Sequence, residues 1–321
     1  MSAAPENNRH RIVYFGTAEF ACPALVALEQ DPAFEVVGVV TQPDRPRGRQ
    51  LHLHPSPVKE TAGQLGLEVW QPARCRAPEF LGQLAGLAPD CCVVAAYGQI
   101  LPRPLLELPK HGCVNIHGSL LPKYRGAAPV QWALADGEPH TGVTIMRLDE
   151  GLDTGPMLAS ESTPIWPEDD AQSLHDRLAT QGADLLLRTL RDYLAGILTP
   201  VPQPAEGASY ARKITREDGR VDWSLPAEVV ARRIRAFTPW PGAFTFLPTD
   251  SRRLLKILSA EPLSRAGAIP GTVMKAGPES LLVACGEGVL QIHEVQREGG
   301  RRLTVEAFLA GFPLEPGTQL G

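Results

Sequence analysis

Asn115 and His117 stand one residue apart at the end of the apolar stretch "GCVNIHG". Side chains at i and i+2 of a strand share a face, so the amide and the imidazole point the same way while Val114 and Ile116 pack on the other side. An amide N–H can meet a developing oxyanion, and an imidazole can donate to it or shuttle a proton. A carboxylate would orient that imidazole and keep it basic. The run "MRLDEGLDTG" offers Asp149 and Asp153, and the glycines flanking Asp153 can set its carboxylate close to backbone donors, facing His117. No activated nucleophile accompanies the trio. Ser119 lacks a G-x-S-x-G elbow, and Cys113 is expected to face away from the pair. The set therefore suits direct attack by a substrate amine on an acyl-like carbon, with no covalent enzyme intermediate. Ordinary loop capping by the same three residues is the competing reading.

Alternating strands and helices must position these groups. "RIVYFG", "EVVGVVTQ", "LEVWQP", "DCCVVAAYG", "GCVNIHG" and "TGVTIMRLD" are short runs, nearly continuous in apolar residues, as expected of strands covered on both faces. Helix-like segments at 23–29, 57–65 and 78–87 separate them. The pattern predicts an α/β fold, a Rossmann-like, mostly parallel sheet with helices on both faces. A long amphipathic helix follows from Glu168, with Leu174, Leu178, Leu185 and Leu186 at helical spacing and Gly196 as its stop. Residues 198–210, "LTPVPQPAEGASY", have the composition of a stiff linker. The domain boundary falls there, giving domains 1–204 and 211–321. Beyond it, a short helix at 229–237, five short strands and a closing helix in "TVEAFLAGFP" predict a small closed or half-closed β-barrel.

Three further features bear on function. Gly16 ends the first strand without a G-x-G-x-x-G pattern, so no dinucleotide is implied. It can let the chain turn into a helix that Thr17 or Glu19 caps, or cradle a small ligand. The loop 41–57 is long and cationic, with Arg45, Arg47 and Arg49, and is either a solvated loop or an arm toward a phosphate-rich partner. Lys123 and Arg125 follow the Asn–His pair and are either solvated charges or contacts for an anionic substrate end. His52 and His54 lack a third ligand at a credible spacing, so no metal site is expected.

Composition sets the outer bounds. The net charge of -5 over 321 residues argues against nonspecific coating of nucleic acid but leaves room for a local basic face. Six scattered cysteines without a C-x-x-C pair read as reduced thiols in a cytosolic protein. A polar N-terminus and the absence of a long apolar run predict neither secretion nor a membrane span. Nothing demands more than a monomer.

"FGTAEFACPAL", "TQPDRPRGR", "SPVKETA", "VVAAYGQILP", "GCVNIHGSLLPKYRGAAPVQWAL", "TGVTIMRLDEGLDTGPML" and "IRAFTPWPGAF" together resemble the methionyl-tRNA formyltransferase family of folate-dependent enzymes. The resemblance runs from Arg11 to about Gly317. It implies formyl transfer from 10-formyltetrahydrofolate to the free amino group of methionine on initiator tRNA, through a tetrahedral oxyanion. It implies Asn115, His117 and Asp153 as the catalytic set. The implied folate pocket is lined by Ala96, Tyr97, Gly98, Gln99, Ile100 and Leu101, and by Ser119, Leu120, Leu121 and Pro122. Arg49 matches the family's tRNA-contacting arginine, and the C-terminal domain is expected to be an oligonucleotide-binding (OB-like) barrel on the tRNA. The variable slot at Arg47 adds a charge to the arm. The same trio would serve a glycinamide ribonucleotide or amino-sugar formyltransferase, or a formyltetrahydrofolate hydrolase. A non-enzymatic RNA-binding module would need only the barrel.

Overall fold

The near-continuous apolar runs form strands because β-branched and other apolar side chains fill both faces of a covered sheet. The computed structural model describes residues 9–47, 52–248, 253–266, 268–277 and 280–321. In chain order the elements are β1 (His10–Gly16), α1 (Cys22–Gln30), β2 (Phe34–Val40), β3 (Arg45–Arg47), β4 (His52–His54), α2 (Pro57–Gln64), β5 (Val69–Trp70), α3 (Pro78–Gly86), β6 (Cys91–Ala95), α4 (Arg103–Leu106), β7 (Cys113–His117), β8 (Arg125–Gly126), α5 (Pro129–Asp136), β9 (His140–Arg147), β10 (Met157–Pro164) and α6 (Ala171–Leu194). They continue with β11 (Tyr210–Ala211), α7 (Ala227–Ala236), β12 (Ala243–Phe246), β13 (Leu254–Leu263), β14 (Val273–Gly277), β15 (Ser280–Ala284), β16 (Val289–Arg297), β17 (Arg302–Thr304) and α8 (Val305–Gly311). The chain divides into two compact units. The first comprises Met1–Gly126, Thr141–Thr163 and His175–Tyr210, and the second comprises Ala127–His140, Pro164–Leu174 and Ala211–Gly321.

A seven-stranded sheet, ordered β10-β9-β7-β6-β1-β2-β5, organises the first unit. β1 pairs in parallel with β2 and β6, β6 with β7, and β2 with β5. β7 and β9 run antiparallel, so His117 lies opposite Thr144. Strand β10 was not expected. Its sequence, "MLASESTP", alternates exposure along its length, and an edge strand with one solvated face leaves no apolar run to read. Buried Leu178, Leu185, Leu186 and Leu190 form the core face of α6. Gly182 lets that helix close on β7, because a Cβ there would stand 2.8 Å from Ile116 Cγ2. Ser56 caps α2 by accepting from Lys59 N at 3.1 Å, and Pro57 occupies a first-turn position where no backbone donor is lost.

The second unit is built on a six-stranded antiparallel sheet, with β12-β13-β16-β15-β14 in order and β17 added on β16. The register of β13 against β16 shifts around Ser259, an irregularity of the kind that bends a strand. Helix α7 buries Ala227, Val230, Ala231 and Ile234, a stripe at helical spacing, into a core that includes Trp223, Leu255, Ile257, Val283, Leu290 and Phe308. Trp223 and Thr245 are both buried, and the indole N–H donates to Thr245 Oγ1 at 3.1 Å. Among the described residues, no helix is long and apolar enough to cross a membrane.

Candidate active site

β7 lies between β6 and β9, with Asn115 registered against Val94 on one side and Met146 on the other. Placement inside the sheet buries both polar groups at its end. Asn115 is 9% exposed and His117 5%. The His117 Nε2–H donates to the Tyr124 carbonyl oxygen at 2.9 Å. A carbonyl can only accept, so this contact sets the tautomer and leaves Nδ1 as the nitrogen that can exchange a proton. Nδ1 is 3.8 Å from Asp153 Oδ2, beyond hydrogen-bond length but well within ion-pair range once the ring is protonated. Besides the Asp153 carboxylate expected to orient the imidazole, the Tyr124 carbonyl holds the ring directly.

Asp153 Oδ2 also accepts from Gly126 N at 2.8 Å. Both loop residues beside the histidine have left-handed backbones, Tyr124 at φ +61° and Asp153 at φ +53°. Non-glycine residues adopt that conformation only where surrounding bonds hold them. Gly155 makes a close approach there, since a Cβ would fall 1.9 Å from the Arg147 carbonyl oxygen. Asp149, the other acid of the loop, is a local cap. Its Oδ1 accepts from Gly151 N at 3.0 Å and from Thr154 Oγ1 at 2.8 Å. Among the described residues, the Asn115 carboxamide has no hydrogen-bond partner, so its donors are uncommitted.

The expectation that Cys113 faces away from Asn115 does not hold. The two-residue pleat puts both on one face, and Cys113 lies deeper along the strand with its thiol 3.8 Å from Leu105 O, inside a hydrophobic cluster. Burial pushes the Cys91 and Cys92 thiols well up and the Cys285 thiol up to about 11, as expected of inert reduced sulfur.

The predicted folate residues divide by exposure. Ala96, Gly98 and Ile100 are exposed, with Ile100 at 83%. Tyr97 and Leu101 turn inward beside Phe15 and Phe80, and burial raises the Tyr97 phenol. Among the described residues, the buried hydroxyl of Tyr97 has no hydrogen-bond partner. Gln99 Oε1 accepts from Cys75 N at 3.0 Å. In the second segment, Ser119 is buried and donates to Lys123 O at 2.6 Å, and Leu121 N donates to Thr144 Oγ1 at 3.1 Å. Leu120 and Pro122 are half-buried. Thr17 is not a helix cap. Its hydroxyl donates to Tyr97 O at 2.8 Å and accepts from Gln42 N at 3.3 Å, tying the first-strand loop to the 96–101 loop.

Within the cationic loop, β3 pairs antiparallel with β4, and Arg45 lies opposite His54. Arg45 is exposed, and its Nη2 donates to Gln42 Oε1 at 2.7 Å. Arg47 ends β3, and Arg49 lies outside the described residues. Lys123 is exposed, whereas Arg125 is half-buried and donates to Gln203 Oε1 from Nε at 3.0 Å and from Nη2 at 2.7 Å. Gln203, Ser209, Gln42 and Thr144 all touch the site loops and were not singled out in the sequence. Each is an isolated polar residue whose partner is remote in the chain. Among the described residues, no group of His, Cys, Asp or Glu could hold a metal ion.

An amide with unused donors on the strand face of a histidine–carboxylate pair fits a ligand that carries an oxygen acceptor. Comparisons with known proteins bear on which ligand this is. Residues 10–190 match the formyl transferase family and residues 213–313 match the formyl transferase C-terminal domain. The chain is 50% identical to a methionyl-tRNA formyltransferase of Geobacter sulfurreducens over 311 residues, 97% of this chain and 96% of that protein. It is 51% identical to one from Myxococcus xanthus over 312 residues, 97% and 98% of the two chains. Among solved structures, the fold is shared with an N-formyltransferase from Helicobacter canadensis in complex with folinic acid and dTDP-3-aminofucose, at TM-score 0.65 and 18% identity, covering 92% of this chain and 100% of that one. It is shared as well with HypX from Aquifex aeolicus in complex with tetrahydrofolic acid, at TM-score 0.60 and 18% identity, covering 97% of this chain and 50% of that one.

Proposed function

The chain belongs to the methionyl-tRNA formyltransferase family, and from that premise we propose that Asn115, His117 and Asp153 carry formyl transfer to the amino group of methionyl-tRNA. When bound, 10-formyltetrahydrofolate supplies the activated formyl carbon that the unprotonated amine attacks. Asn115 donates an amide N–H to the oxygen on which negative charge builds. As the tetrahedral adduct collapses, the bond from the formyl carbon to N10 of the folate breaks; His117, with Nε2–H held by Tyr124, takes the amine proton at Nδ1 and returns it to the leaving N10, and Asp153 at 3.8 Å stabilises the ring while it is charged. Ala96, Tyr97, Gly98, Gln99, Ile100 and Leu101, with Ser119, Leu120, Leu121 and Pro122, bind the co-substrate. Tyr97, Leu101 and Ser119 act from behind, by shaping the loops.

Arg45, Arg47, Arg49 and Lys123 contact the tRNA backbone, and Arg125 fixes the loop between them and the site. Residues 1–204 form the catalytic domain and 211–321 the tRNA-binding domain, joined through 198–210. The acceptor is the initiator tRNA, whose weak first pair would open cheaply and let the CCA end bend inward. All three catalytic groups come from one chain, so a monomer suffices, and the reaction belongs in the cytoplasm with its tRNA.

The observation that carries this reading is the uncommitted Asn115 amide on the same strand face as His117, in a chain about half identical to its relatives over nearly its whole length. The test mixes the protein with 10-formyltetrahydrofolate and methionylated initiator tRNA. Formylmethionyl-tRNA is expected only when both are present. Formylation of an amino sugar or glycinamide ribonucleotide, with methionyl-tRNA left untouched, would overturn the acceptor. Free formate released at the same rate without tRNA would point to hydrolysis.

A further inference from the structure

Residues 198–210 have a linker's composition, but they are bonded along the first unit. Val201 and Met157 exchange two backbone hydrogen bonds, each 2.8 Å, just beyond the loop that carries Asp153. Of the ten residues 201–210, eight are exposed, and the two that are not are Gln203 and Ser209. Gln203 spends its whole hydrogen-bonding capacity inward. Its Nε2 donates to Asp153 O and Gly155 O, each at 2.8 Å, and its Oε1 accepts twice from Arg125. Ser209 Oγ accepts from Tyr124 N at 2.9 Å, while its backbone accepts from Arg125 N at 2.9 Å and donates to Pro122 O at 3.3 Å.

The two side chains therefore act on the two strained residues of the site. Asp153, at φ +53°, is held through its carbonyl by Gln203, and Tyr124, at φ +61°, is held through its N–H by Ser209. Tyr124 in turn presents the carbonyl that fixes the His117 tautomer, and Asp153 presents the carboxylate that faces Nδ1. Left-handed non-glycine residues persist only when their surroundings over-determine them. We propose that the 198–210 segment is a strap that positions the His117–Asp153 pair, with Gln203 and Ser209 as positioning residues for formyl transfer. Neither touches a reacting atom. The inference rests on the catalytic reading given above.

The test uses the full chain and four variants, Gln203→Glu, Gln203→Ala, Ser209→Ala and Ser209→Thr, with Asn115→Ala as the reference for the catalytic reading. Gln203→Glu is decisive because a carboxylate keeps the Arg125 contact and loses both donors to the Asp153 loop. Turnover per folded protein is expected to fall about 10- to 100-fold in Gln203→Glu, Gln203→Ala and Ser209→Ala, with KM for both substrates within about 2-fold, because a small misplacement costs rate more than binding. Ser209→Thr keeps the hydroxyl and should restore most of the loss. Nitrogen-15 NMR of the histidines should show a single Nε2–H form for His117 in the parent protein and a mixture in Ser209→Ala. If Asn115→Ala loses turnover while Gln203→Glu keeps it, or if Gln203→Glu raises KM with kcat intact, the strap is wrong and the site reading stands. If Ser209→Ala lowers only the melting temperature and leaves kcat and the His117 signal unchanged, the strap is equally wrong. Full turnover in Asn115→Ala would remove the site reading and the strap with it.

Discussion

Asp153 in the first unit and Asp218 in the second are loop carboxylates of opposite character. Asp218 is heavily engaged. It accepts from Thr215 N at 2.7 Å, from Thr215 Oγ1 at 2.8 Å and from Arg212 Nη1 at 2.8 Å, and it pairs with Arg212 Nη2 as well. Together with Thr215 it forms a capping box on the short 3₁₀ turn Arg216–Gly219. Among the described residues, the Asp153 carboxylate accepts one hydrogen bond, from Gly126 N, and otherwise faces a histidine at 3.8 Å from a left-handed backbone. A carboxylate that already accepts from four donors holds a fold. One with spare capacity beside a titratable ring can answer a charge that appears during a reaction. Burial does not separate the two, since both are largely covered, with side chains 15% and 6% exposed. What separates them is how many partners each already has.

The sharpest way to break this contrast is to remove a group of the first kind. Asn115→Ala is expected to lower kcat about 10²- to 10³-fold, the usual cost of one oxyanion donor, with the melting temperature unchanged. Steady-state kinetics beside a thermal melt would check it, and near-normal turnover in the folded variant would count heavily against the mechanism. Gly155→Ala should come next. Its new Cβ would fall 1.9 Å from the Arg147 carbonyl, so the backbone of the Asp153 loop must move, at a cost of about 3 kcal/mol. Denaturant titration would register that cost together with lost turnover. A variant with unchanged stability would mean the loop is slack.

Asp218→Asn should do the reverse, destabilising by about 2 kcal/mol with turnover per folded protein intact. The hydrogen bond from Arg212, with further donors from Thr215, holds the Asp218 carboxyl well below its ordinary range. Its contribution is therefore fully present above the unfolded pKa of about 3.9 and is lost as pH falls through the lower folded value. The stability gap between parent and Asp218→Asn should be flat above about pH 5 and should narrow below about pH 4 in denaturant titrations across pH. A gap that widened in acid would contradict the pairing. The smallest effect is expected on the cationic arm. Arg49→Ala should weaken tRNA binding while sparing folate, and the slope of log K against log salt should shrink by about 1. Unchanged tRNA affinity and rate would remove the arm from the mechanism.

The pattern of alternating apolar runs was enough to read the parallel sheet, since those runs must be covered on both faces wherever they lie. It was not enough for β10, whose polar edge carries no such constraint. The geometry of the candidate site was legible where it is local. Asn115 and His117 share a face by the strand period alone, and the glycine-flanked loop pointed to Asp153 ahead of Asp149. The reading of Cys113 failed through a misjudged pleat, which the observed strand corrects.

The amino-acid sequence by itself determined which side chains could do the chemistry, the strand that carries two of them and the family to which the motifs point. All of these follow from short-range periodicity and residue type. Only the tertiary structure decided which nitrogen of His117 is free and what holds Tyr124 and Asp153 in left-handed conformations. The Tyr124–Ser209 and Asp153–Gln203 contacts join residues 85 and 50 positions apart. A hydrogen bond across such a separation depends on where the whole sheet and its crossings bring the chain back, and no local pattern encodes that return.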